Sequence, residues 1–130
     1  MDRSSQRPRV LVVEDDDRLV FAIKETLTDE GYETRAAKNG RDAIAALDAG
    51  FLPDAIVLDL VMPIGTGFEV VAWLQQRGLE VPVLLSTQSD DVAAVDVGAV
   101  LKLSKPFTAE QLLEGLSRAM KRTPGNGTRG

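Results

Sequence analysis

Apolar residues in this chain fall into short, unbroken runs: VLVV at 10–13, AIVL at 55–58 and VPVLL at 81–85. A strand with one wet face alternates apolar and polar positions, so runs without alternation predict strands covered on both faces, as in a parallel sheet. VLKL at 100–103 is a fourth run with one lysine, and YETRAA at 32–37 is a weaker, alternating fifth that follows Gly31. Between the runs the period becomes that of a helix. Residues 17–30 place Leu19, Ala22, Ile23, Thr26 and Leu27 on one face, which predicts a helix lying on the sheet with Val20 and Phe21 nearer solvent. Segments 39–49 and 67–77 stop at Gly50 and Gly78, residues suited to ending a helix. Thr108 introduces the last helix, and Gln111 three residues later completes a capping box.

Strand and helix thus alternate five times, which predicts a doubly wound five-stranded parallel sheet with helices on both faces. Its tightest point lies between the fourth and fifth strands. Parallel neighbours need a right-handed crossover, usually of a dozen or more residues, and only 87–99, thirteen residues, are available.

Composition narrows the chemistry. A chain of 130 residues is most simply one domain with a core of its own. With neither cysteine nor histidine, disulfides, thiolate metal sites and imidazole chemistry are excluded, so any phosphohistidine belongs to a partner. The net charge of −5 argues against a direct nucleic-acid binder, which would present a basic face. No apolar run approaches the ~20 residues of a membrane span, and MDRSSQRPR lacks the apolar core of a signal peptide. The expected location is cytoplasmic, without membrane contact. Residues 1–7 are expected to be a flexible N-terminus, 8–122 the domain, and 123–130, ending TPGNGTRG, a flexible tail or linker remnant.

In a parallel sheet every strand's carboxyl end lies along one edge, where ligands bind. The residues closing the strands are therefore neighbours: Glu14, Asp15 and Asp16 after the first, Asp59 after the third, Thr87 after the fourth and Lys105 after the fifth. Asp59 lies inside AIVLDLVMP, where an ionised carboxylate is costly unless paired or bound to metal. Of the acidic trio, Asp16 or Asp17 suits the N-terminus of the first helix. The remaining carboxylates repel one another, and an oxygen-ligated divalent cation, Mg²⁺ or Mn²⁺, resolves that repulsion. Lys105 precedes Pro106, which holds it extended at its strand end and within reach of a phosphate. Thr87 adds a hydroxyl, although the end of a strand can use one merely to satisfy its backbone. A carboxylate nucleophile, a cation, an ammonium and a hydroxyl together describe a phosphoryl-transfer site that works by positioning and charge.

The stretches VLVVEDD, PDAIVLDLVMPIGTG, VPVLLST and KLSKPF, in this order, resemble the receiver domain of bacterial two-component response regulators from about residue 9 to 121. The 44 residues from Asp15 to Asp59 suit that family too. The resemblance implies the flavodoxin-like receiver fold with strand order 2-1-3-4-5. It implies that Asp59 is the phosphoacceptor, that Asp15, Asp59 and the main-chain carbonyl of Val61 ligate Mg²⁺, and that Glu14 acts through a metal-bound water. Thr87 would hydrogen-bond the phosphoryl group and Lys105 would pair with it, while Pro63 and Gly67 match the loop after the acceptor. The implied donor is a phosphohistidine on a sensor histidine kinase or histidine phosphotransfer protein, and the output passes to an unspecified protein target. Such a domain assists its own phosphorylation and dephosphorylation and turns over no external substrate.

Three positions depart from the pattern. Gln88 stands where a small residue leaves room for the phosphoryl group, and Lys102 replaces the aromatic that many receivers swing inward. Thr87 and Lys105 are 18 residues apart, about four fewer than usual and so about one helical turn. This shortens the fourth helix to roughly 90–97 and makes the output face of fourth helix, fifth strand and fifth helix atypical. The leading reading is a stand-alone phosphorylated signalling module. A receiver excised from a hybrid kinase or larger regulator is the alternative, and a degenerate receiver acting without phosphorylation is a third. An aspartate-nucleophile phosphatase would need a second aspartate at 61, where valine stands. That valine cannot orient a hydrolytic water, so slow autodephosphorylation is expected. Val20 and Phe21, close to the site, are expected either to meet the donor protein or to pack under a neighbouring loop.

Overall fold

The computed structural model describes residues 7–59, 67–87 and 100–122. Five strands, β1 (Arg9–Val13), β2 (Glu33–Ala37), β3 (Ala55–Asp59), β4 (Val83–Thr87) and β5 (Val100–Ser104), pair in parallel in the order β2-β1-β3-β4-β5. The described helices are α1 (Asp17–Asp29), α2 (Gly40–Asp48), α3 (Gly67–Gln76) and α4 (Ala109–Arg122). Residues 10–13 of β1 and all of β3 are buried, as their uninterrupted apolar sequences require of central strands. Leu11, Val13, Ile56, Leu58 and Leu85 pack on one side of the sheet with residues of α2 and α3. Val10, Val12, Val57, Leu84 and Leu103 pack on the other with residues of α1 and α4.

Local chemistry sets the helix ends. The Asp16 carboxylate accepts from the N–H groups of Arg18 and Leu19 at the start of α1, and Asn39 does the same for Asp42 at α2. Thr108 and Gln111 form the expected reciprocal box: each backbone N–H donates to the other's side chain, at 2.8 and 3.1 Å. After α1 and α2 the chain reverses through Gly31 and Gly50 at φ +92° and +108°, a conformation costly for a residue with a Cβ. Gly115, inside α4, faces the core; a Cβ there would stand 3.1 Å from a Leu84 methyl. At the amino edge, Arg9 N–H donates to Asp54 and the Arg9 and Arg35 guanidinium groups lie over the Phe51 ring.

Three sequence expectations change. The fourth strand starts at Val83 rather than 81, because Pro82 has no N–H to give the ladder, although its carbonyl accepts from Ile56. Ala22 is exposed: Leu19, Ile23 and Leu27 form the inward row of α1, and alanine at the margin of that arc is too short to reach the sheet. Val20, expected nearer solvent, is partly buried, whereas Phe21 is 66% exposed. The shortened helix expected at 90–97, together with Val61, Pro63 and Gln88, lies outside the described residues. Among the described residues no helix is long and apolar enough to cross a membrane.

Candidate functional site

The pleat decides which side chains meet. Val12, Val57, Leu84 and Leu103 all face the α1 and α4 side. Side chains alternate along a strand, so the positions two further on, Glu14, Asp59, Ser86 and Lys105, face that side at the carboxyl edge. The sheet thereby delivers two carboxylates, a hydroxyl and an ammonium to one corner.

Glu14 is the first residue past β1, and its N–H donates to the Ala37 carbonyl at 3.0 Å, which fixes the backbone where the strand ends. Glu14 and Asp59 are 2% and 6% exposed. Lys105 Nζ donates to Glu14 Oε1 at 3.0 Å and lies 3.6 Å from Asp59 Oδ2. One ammonium thus serves two buried carboxylates. The Asp16 N–H donates to the other Glu14 oxygen at 3.2 Å, so the turn that caps α1 also holds Glu14. Burial pushes the Glu14 carboxyl above its ordinary range, the charge of Asp59 adds to this, and the bonds from Lys105 and Asp16 offset only part of it.

Asp15, exposed on the rim, completes a group with Glu14 and Asp59 in which one carboxylate oxygen of each lies within 4.8 Å of the others. Three hard oxygen donors this close fit a small divalent ion. Thr87 closes β4 in register with Ser104, which places its backbone on the same edge. Lys102 pairs with Leu85 across the ladder and therefore belongs to the opposite side of the sheet from Lys105; it is exposed. An open groove of about 570 Å³ adjoins the cluster, lined by Asp16, Arg18, Leu19, Ala22, Lys105 and Phe107.

Glu14, Asp15, Asp59 and Lys105 are therefore brought together as their strand-end positions predict. Two features escaped sequence reasoning. The bond between Lys105 and Glu14 joins residues 91 apart, and no local pattern announces it. Ser86 is buried beside Asp59; its signal was available, as the first polar residue after an apolar run.

A sequence model of the response regulator receiver domain family matches residues 10–117. The transcriptional regulatory protein TcrA of Mycobacterium tuberculosis is 38% identical over 120 residues, covering 89% of this chain and 47% of TcrA. This chain thus spans about half the length of that curated relative. Among solved structures, the chemotaxis response regulator CheY4 of Vibrio cholerae superposes with a TM-score of 0.76 at 32% identity, over 87% of this chain and 98% of CheY4. TrrA of Thermotoga maritima, solved in complex with Mg²⁺ and beryllium fluoride, gives 0.75 at 27% identity, over 86% and 98%.

Proposed function

Because the chain belongs to the response regulator receiver domain family, we propose that Asp59 accepts a phosphoryl group from a phosphohistidine of a sensor histidine kinase or histidine phosphotransfer protein. The observation that carries this reading is the single ammonium of Lys105 held between buried Glu14 and Asp59. An Asp59 oxygen bonds to phosphorus as the bond from phosphorus to the donor's imidazole nitrogen breaks, its electron pair staying on the imidazole. Lys105 then moves from carboxylate to phosphoryl oxygen, and the Thr87 hydroxyl binds another. Asp15, Asp59 and the Val61 carbonyl would hold Mg²⁺ or Mn²⁺, with Glu14 acting through water. The ion, when bound, neutralises the negative charge that gathers at the acceptor. The donor set within 4.8 Å supports this assignment, as does the Mg²⁺ complex of TrrA.

The phosphorylated chain is a signal carrier, not an enzyme turning over an external substrate. It acts in the cytoplasm, and its output passes to a protein target through β5, α4 and the crossover before β5. The greater length of TcrA favours a second reading in which this domain is the receiving part of a longer regulator; both readings share the same acceptor chemistry. Incubation with acetyl phosphate and Mg²⁺ should add the mass of one phosphoryl group to the intact protein, and Asp59→Asn should abolish the addition. An unmodified wild-type protein would instead favour an interaction module that works without phosphorylation.

A further inference from the structure

Ser86 is 1% exposed, and its hydroxyl has no hydrogen-bond partner among the described residues. An unpaired buried hydroxyl is destabilising, and an apolar residue would fill the place without that cost. The parallel register sets Ser86 between Asp59 on β3 and Leu103 on β5, on one side of the sheet. Of these lateral neighbours one is apolar and the other is the carboxylate proposed as acceptor. Adjacent strands stand about 4.8 Å apart, a gap that a serine and an aspartate side chain bridge when the hydroxyl turns between staggered χ1 positions.

We propose that Ser86 Oγ donates a hydrogen bond to the Asp59 carboxylate, as a positioning residue that shortens the life of the phosphorylated state. This rests on Asp59 being the acceptor. In hydrolysis a water oxygen bonds to phosphorus and the bond from phosphorus to Asp59 Oδ breaks. The electron pair stays on Oδ, the water's proton goes to solvent, and inorganic phosphate leaves. Negative charge returns to the carboxylate during that step, and a donor bonds a carboxylate more strongly than the neutral carbonyl of an acyl phosphate. Ser86 therefore stabilises the departing aspartate more than the loaded one.

The test compares Ser86→Ala, which lacks the hydroxyl, with Ser86→Cys, which keeps a side chain of similar shape with only a weak donor. Each protein is loaded with acetyl phosphate and Mg²⁺, freed of donor and followed by intact mass. Both variants should keep the phosphoryl group about fivefold longer than wild type, or about 1 kcal/mol in the barrier. Unchanged lifetimes, or a longer one for Ser86→Ala alone, overturn the proposal, the latter because it would report a cavity. The ¹³Cγ resonance of Asp59 in the unphosphorylated proteins should also shift in both variants. That signal needs no phosphoryl transfer, so an unmoved resonance refutes the bond itself. A wild-type chain that takes no phosphoryl group refutes the acceptor reading, and the lifetime effect with it.

Discussion

At the amino edge of the sheet Arg9 Nε lies 3.7 Å from Glu33 Oε1, with both side chains about half exposed; at the carboxyl edge Lys105 Nζ lies 3.0 Å from a Glu14 oxygen that is almost wholly buried. Both pairs join a cation to a glutamate, yet solvent gives them different work. Water screens the amino-edge pair, which stabilises the fold by little beyond the packing of the guanidinium over Phe51. Glu14, Asp59 and Lys105 at the carboxyl edge have lost most of their hydration, so the two buried carboxylates depend on the one ammonium they share. A buried charge cluster is a poor way to stabilise a fold and a good way to hold a site ready for a doubly charged ligand.

Removing the shared ammonium should break this contrast most severely. Lys105→Met removes the ammonium that two buried carboxylates share, and urea denaturation at pH 7 without divalent ions should show a loss of about 3 kcal/mol. Added Mg²⁺ should recover part of it. A loss below about 0.5 kcal/mol, the range of exposed pairs, would mean that the carboxyl-edge cluster is as well solvated as the amino edge.

Glu14→Gln tests the same desolvation from the other side. Burial raises the folded-state pKa of Glu14 above 4.5, so the folded chain binds that proton more tightly than the unfolded chain. The stability this provides is complete below pH 4.5 and disappears as pH rises through the folded value. Metal-free Glu14→Gln should therefore match the wild type more closely in acid and exceed its stability increasingly above pH 4.5, while its Mg²⁺ affinity falls at least about tenfold. Parallel stability curves from pH 4 to 7 would exclude a raised Glu14. The smallest effect belongs to the amino edge, where Glu33→Gln should change stability by less than about 0.5 kcal/mol, and by less still in 1 M salt.

The same distinction explains what the sequence disclosed. Val10 to Val13 and Ala55 to Leu58 were legible because strands covered on both faces leave unbroken apolar runs. Asp59 and Lys105 were legible because strand ends in a parallel sheet must converge. The exposed Ala22 and the late start of β4 were not. Periodicity marks a helix face without saying how far a short side chain reaches, and an apolar run marks burial rather than hydrogen bonding. The Glu14 to Lys105 bond depends on how β1 and β5 lie across three intervening strand pairings, a distance no local pattern encodes.

Gly115 carries a mechanical consequence. Glycine inside a helix is unfavourable relative to alanine by about 1 kcal/mol, but here a methyl would stand 3.1 and 3.2 Å from the two Leu84 methyls, tighter than ordinary contact. The residue works as a spacer of minimum thickness, letting α4 rest closer to β4 than a helix with a side chain at that point. The same helix begins four residues after Lys105, beyond its cap at Thr108. With a thicker spacer at 115 either the Leu84 methyls yield by a few tenths of an ångström or the helix lifts, and only the short connection from Lys105 to Thr108 separates such a lift from the ammonium.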